Sequence, residues 1–272
     1  MNPGERVLIP RPSYPLLHFL ADLNDVRLDS YDLNYDENGW HINMGSLVQA
    51  CHSETKLMIL IHPNNPTGSF VKQNELNEVI KLAQEKSLVL FSDEVFSDYS
   101  FSADPKRASS LTAHEEVLSF TLNGISKVLG LPQMKLAWMI ASGPKDMLPP
   151  VLERLEMISD TYLSVNTPVQ QSLSSWLPAR KTTQHEISER LEKNLAFLIN
   201  RLSNSHHATC LRTEGGWYAT LQVPKIKSEE EWLLEFLKRD HVYLQPGYFF
   251  DFHEEGSRNG FGYCQRITNA QK

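Results

Sequence analysis

Four short apolar runs constrain the fold of this chain more than any other feature: Lys-Leu-Met-Ile-Leu-Ile-His-Pro at 56–63, Leu-Val-Leu-Phe-Ser-Asp-Glu-Val at 88–95, and the runs at 116–124 and 136–143. Each is too short to be a well-packed helix, and apart from the run at 116–124, where Ser119 and Thr121 interrupt, they are apolar at mostly successive positions, as in strands covered on both faces. Between the first two, residues 74–87 place Leu76, Val79, Ile80 and Ala83 on one helical face. Upstream, 6–10 reads as a strand, an amphipathic stretch starts near Tyr14 with Leu16, Leu17, Leu20 and Leu23, and 26–33 reads as a strand ending at the Asp-Glu-Asn-Gly turn of 36–39. Strands alternating with helices predict an α/β fold, a mostly parallel sheet with helices on both faces.

The second half changes character. Residues 145–205 predict three helices, the last from about Thr183 to Ser203. Strands follow in Ala-Thr-Cys-Leu-Arg-Thr and Gly-Gly-Trp-Tyr-Ala-Thr-Leu-Gln-Val, then a helix in Ser-Glu-Glu-Glu-Trp-Leu-Leu-Glu-Phe-Leu-Lys-Arg-Asp, then a strand in Val-Tyr-Leu-Gln. That α+β pattern sets the expected division: a large α/β domain over 1–155, and linking helices with a smaller α+β domain over 156–272.

Composition narrows the function classes. A formal charge of −7 argues against nucleic acid as a partner. The longest aliphatic run, Leu57–Ile61, is far short of a membrane span, and Met1–Pro10 lacks the apolar core of a signal peptide. Cys51, Cys210 and Cys264 stand far apart without zinc spacing, so no metal site is expected and reduced thiols in a cytoplasmic protein are.

Parallel sheets bind ligands beyond the carboxyl ends of their strands, and three polar residues fall there: Asn65 after one strand, Asp93 closing the next, and Lys127 just after a third. Singly, each has an ordinary reading. Asn65-Pro66-Thr67-Gly68 suits a tight turn, Asp93 suits a helix cap or an ion pair, and Lys127 and Lys135 suit a solvated loop. A carboxylate closing a buried strand nevertheless needs a partner.

Taken in order, Asn-Pro-Thr-Gly, Ser-Asp-Glu-Val-Phe, and Ser-Lys with a second lysine eight positions on resemble the class I/II aminotransferases, which are fold type I pyridoxal-phosphate enzymes. The resemblance starts at Asn2-Pro3-Gly4-Glu5-Arg6, passes through Pro12-Ser13-Tyr14-Pro15, and continues to Asp251-Phe252. It implies pyridoxal 5′-phosphate as cofactor, with Lys127 as the Schiff-base lysine and proton carrier and Asp93 against the pyridine nitrogen. It further implies Asn65 donating to the ring oxygen, and close to the substrate as well, Tyr14 stacked on the ring, and Ser126 and Lys135 at the phosphate. The implied reaction moves an amino group between an amino acid and a 2-oxo acid, in a homodimer.

This chain departs from the family pattern in several places. Phe96 stands where tyrosine is usual, so the hydroxyl that would also reach the ring oxygen is missing. Gly124 stands where a phosphate-binding serine is frequent, and Lys135 replaces an arginine, keeping the charge without the bidentate fork. No segment matching the family's N-terminal arm and phosphate cup precedes Met1, and residues after Phe252 carry no evident strand or helix pattern. The expectation is therefore a chain truncated at both ends, with Arg258 or Arg266 as candidates for binding the substrate carboxylate. The rival readings are a C–S β-lyase of the same fold and a non-catalytic homologue acting by association.

Overall fold

The computed structural model describes residues 1–205, 207–252 and 261–267, the last segment as backbone with the Tyr263 side chain. In chain order the large sheet and its helices are β1 (Arg6–Arg11), α1 (Leu16–Leu23), β2 (Arg27–Asp36), β3 (Gly39–Ile42), α2 (Met44–Ala50), β4 (Thr55–Ile61), α3 (Gln73–Lys86), β5 (Val89–Asp93), β6 (Ser119–Gly124), α4 (Ile125–Val128) and β7 (Ala137–Ser142). The seven strands lie in the order β3-β2-β1-β4-β5-β6-β7. The run from β2 to β6 is parallel, and only the edge strands β3 and β7 are antiparallel to their neighbours. The expected α/β sheet is therefore present.

Burial follows the sequence pattern in β1, β4 and β5, but the apolar run at 136–143, expected to be covered on both faces, forms the edge strand β7 with Met139 and Ile140 exposed. Leu8, Met58 and Leu90, on neighbouring strands, are fully enclosed with Tyr31, Leu47, Val79 and Leu111 in one apolar cluster. Helix α3 contributes Leu76, Val79, Ile80 and Ala83, the face read from its periodicity. Its first turn holds the buried Glu75, whose carboxylate accepts the backbone N–H of Lys72 and that of Ile42, each at 2.7 Å. A buried carboxylate is tolerable when donors satisfy both oxygens. Strand β3 and helix α2 were not legible in the sequence. The β2–β3 hairpin turns at the Asn-Gly read there only as a strand end, and α2 is capped by Asn43, whose Oδ1 accepts the Ser46 N–H at 3.0 Å.

Residues 145–205 depart from expectation, with two helices in place of three: α5 (Leu148–Asp160) and α6 (Thr167–Leu202), 36 residues and roughly 54 Å long at 1.5 Å per residue. Pro178 lies inside α6 without ending it. The turns around it are held by tertiary packing, since Val169, Leu173, Trp176 and Leu177 lie against Ile125, Val128, Leu129 and Leu136. Packing there outweighs the proline's missing donor.

A second sheet follows, made of β8 (Thr209–Cys210), β9 (Tyr218–Pro224), β10 (Gln245–Pro246) and β11 (Phe261–Ile267), in the order β10-β11-β9-β8. Between β9 and β10 lies α7 (Glu229–Asp240), started by a capping box of Ser228 and Glu231. Strand β11 corrects the reading of the tail as patternless, because it pairs antiparallel along all of β9. Its glycine, cysteine and arginine hide the alternation that marks a strand. The expected strands at 208–213 and 242–245 shrink to the two-residue β8 and β10. The expected domain boundary at 155/156 falls within α5. No helix among the described residues is long and apolar enough to cross a membrane.

Candidate active site

The carboxyl ends of β4, β5 and β6, three neighbouring strands, carry the residues singled out in the sequence. Asp93 is the last residue of β5. Lys127 sits in α4, the single turn that follows β6. In that turn Ile125 and Val128 are buried in the apolar cluster beneath α6, which leaves Ser126 and Lys127 on the other side, both half-exposed. The turn is fixed at Lys127 itself, whose carbonyl accepts the Tyr99 hydroxyl at 2.5 Å.

The Lys127 amine lies over aromatic faces, its Nζ 5.3 Å from the centre of the Phe96 ring and 5.1 Å from that of Trp217. Burial holds its pKa below the ordinary lysine range, opposed by the charge of Asp93. Burial also pushes the Asp93 carboxyl above its ordinary range, with Glu94 adding to the shift and the Val95 N–H and Lys127 opposing it. The hydrogen bond to Asp93 comes from the Val95 N–H, at 3.1 Å to Oδ1. The site thus holds an acid and a base, each moved towards its neutral form by partial removal from water. Lys127, Asp93 and Phe96 are brought together.

Asn65 is half-buried in the loop after β4. That loop is clamped by the segment leading into β9. Thr220 Oγ1 donates to the Pro66 carbonyl at 3.1 Å, and the N–H groups of Glu214 and Gly215 both donate to the Gly68 carbonyl at 3.0 Å. Gly68 has φ +69, and a Cβ there would stand 2.6 Å from the Gly215 carbonyl oxygen. Asn64, buried, accepts Thr67 N–H and hydroxyl at Oδ1 and donates to the Pro12 carbonyl at 3.3 Å, joining this loop to the one carrying Tyr14. Tyr14 itself is exposed, and the structure gives it no contact with Lys127 or Asp93.

Lys135 ends the turn before β7, exposed, with φ +53, and makes no ion pair among the described residues. The glycine at 124 is explained by crowding, since a Cβ there would stand 3.0 Å from the Leu136 carbonyl oxygen. Arg258 lies outside the described residues. Arg266 falls in β11, opposite Ala219, with its side chain likewise outside the description.

Three residues of this site were missed in the sequence. Trp217 and Tyr218, in a stretch read only as a strand, close over Phe96 at ring separations of 5.4 and 5.3 Å. Two aromatics directly after a Gly-Gly turn were the available signal. Tyr99 had none. It contacts Trp217 at 5.1 Å, and its own carbonyl accepts the Gly216 N–H at 2.8 Å, so it links Lys127 to that turn.

Comparison with known proteins identifies the family and the fold. The sequence profile of the family described as aminotransferase class I and II matches residues 1–268. A glutamate-pyruvate aminotransferase AlaA of Haemophilus influenzae is 29% identical over 262 residues, covering 93% of this chain and 64% of the relative. Its Escherichia coli counterpart is 26% identical, with 63% of its length covered. The chain thus spans less than two thirds of these curated relatives. Among solved structures, an alanine aminotransferase from Pyrococcus furiosus superposes with a TM-score of 0.84 at 23% identity, over 98% of this chain and 66% of that one. A tyrosine aminotransferase from Leishmania infantum gives 0.85 at 20% identity, over 98% and 65%. At these identities the superpositions show the fold.

Proposed function

From the premise that this chain belongs to the class I and II aminotransferases, a family dependent on pyridoxal 5′-phosphate, we propose that it transfers an amino group between an amino acid and a 2-oxo acid, with Lys127 as the reacting amine. The observation that carries this is the partly buried Lys127 amine, its pKa lowered, held within electrostatic reach of Asp93. The side chains suit the cofactor. Asp93 is a partly buried carboxylate that accepts one backbone N–H and faces the charge of Lys127, so a cationic ring nitrogen suits it as a further partner. When bound, the cofactor supplies an electron-poor pyridine ring that stabilises negative charge at the substrate α-carbon.

The chain's own residues do the rest. With the cofactor in place, an ionised Asp93 would hold the ring nitrogen in its protonated form, since an adjacent negative charge favours the cation. A lowered pKa leaves more of the Lys127 amine neutral near pH 7, as a nucleophile and as a base for the α-proton must be. Asn65 is assigned to the ring oxygen and the substrate, Tyr14 to the ring face, Ser126 and Lys135 to the phosphate, and Arg258 to the substrate carboxylate. Phe96 and Trp217 flank the amine and keep water from it. Tyr99 fixes the backbone of the turn that carries it.

We assign residues 1–155 to cofactor binding and 156–272 to the linking helices and small sheet, and the working form to a homodimer in the cytoplasm. Glutamate with pyruvate is the first pair to assay, because the curated relatives carry those substrates in their names. Incubating the purified chain with cofactor and this pair should yield alanine and 2-oxoglutarate in equal amounts. Release of ammonia from cysteine conjugates with no need for a 2-oxo acid would instead identify a lyase.

A further inference from the structure

The phenol of Tyr218 has no task in the roles assigned above. Tyr218 opens β9 and is buried, and its hydroxyl is shielded from solvent without a hydrogen-bond partner among the described residues. Buried hydroxyls nearly always have a partner, so one without calls for an explanation. Its surroundings supply one. The ring stands edge-on to Phe96 at 5.3 Å, on the aromatic wall over which Lys127 Nζ lies. Burial, and next the charge of Asp93, raise its pKa, so the phenol stays protonated and is a donor at any working pH.

The backbone makes room for the phenol's tip. Gly216 has φ +85, and a Cβ there would fall 3.0 Å from the Tyr218 hydroxyl oxygen. Asp93 is near enough for its charge to act on the phenol, yet it accepts no hydrogen bond from it. An acceptor brought by a ligand would satisfy the hydroxyl.

We infer that Tyr218 donates its hydroxyl to the phenolic oxygen on the ring of the bound cofactor, supplying from β9 the polar contact that Phe96 has no atom to make. The inference rests on the cofactor reading above. It makes the clamp around Gly68 part of cofactor binding, because the segment that grips that turn also carries the phenol.

The test is cofactor affinity, read from quenching of tryptophan fluorescence, for the full chain and for Tyr218→Phe, with pyridoxal phosphate and with its analogue lacking the ring hydroxyl. Tyr218→Phe should bind pyridoxal phosphate about tenfold more weakly, the scale of one lost bond to an anionic oxygen. It should bind the analogue as tightly as the unaltered chain does. Its cofactor-free melting temperature should be equal or higher, since the variant removes an unpaired hydroxyl and nothing else. Equal affinity of both proteins for pyridoxal phosphate would overturn the inference, as would the same tenfold loss on the analogue. Unchanged cofactor affinity with a raised KM for the amino acid would overturn it too, moving the phenol to the substrate. Failure of the unaltered chain to bind pyridoxal phosphate at all would overturn the cofactor reading, and this inference with it.

Discussion

Asp93 and Lys127 each carry a charge that the folded chain partly withdraws from water, and they are assigned work that needs a third group between them. The sign of the Asp93 shift has a direct consequence for stability. Its folded pKa lies above the unfolded value of about 3.9, so over that window the folded chain binds more protons than the unfolded one. The burial penalty is absent at low pH, develops as pH rises through the window, and is present in full at neutral pH. Asp93→Asn should therefore raise the melting temperature of the cofactor-free chain at pH 7, by about 2–4 °C for each ~1 kcal/mol relieved. The gain should shrink towards pH 4, and cofactor binding should be lost. Equal melting at both pH values would show that the carboxylate is adequately solvated. Tyr99 acts differently, through the carbonyl of Lys127. Tyr99→Phe should cost about 1 kcal/mol of stability and lower kcat several-fold with little change in cofactor affinity, read from paired melting and kinetic measurements.

The site is assembled by two elements far apart in sequence, the turn after β4 and the segment entering β9, gripping each other through Gly68. A Cβ at that position meets a backbone carbonyl and forces a left-handed residue that alanine disfavours, so Gly68→Ala should destabilise by at least about 2 kcal/mol. Denaturant unfolding measures this, and an unchanged midpoint would mean that the clamp yields freely. The clamp also marks the limit of what the sequence could reveal. Strand-end positions were legible because burial on both faces writes continuous apolar runs, and so Asn65, Asp93 and Lys127 could be placed at strand ends from the order of residues alone. Partners across the fold leave no such trace. Nothing local about Tyr99 foretells its bond to Lys127, and Trp217 and Tyr218 read as ordinary strand aromatics. Helix α6 misled for the converse reason, since Pro178 signals an end that packing by Trp176 and Leu177 overrides. Strand β11 is specified by β9 rather than by its own residues.

Across the whole molecule the apolar surface is unevenly covered. Helix α5 buries none of its residues, Met157 and Tyr162 are largely exposed, Leu163 is wholly so, and Met139 and Ile140 are exposed on the edge strand β7. Exposed apolar side chains in this number favour association. Sedimentation velocity should show a mass rising above 31.1 kDa with concentration, and Met157→Ser with Leu163→Ser should suppress the rise. A mass that stays monomeric throughout would count against the proposed homodimer. The central claim, that Lys127 is the reacting amine, has a more direct test. The cofactor-loaded chain is reduced with borohydride, digested, and its peptides are mapped by mass. The account predicts one cofactor adduct, on the peptide containing Lys127, absent from Lys127→Ala and retained in Lys135→Ala at higher cofactor concentration. Adducts spread over exposed lysines, and unchanged in Lys127→Ala, would contradict it.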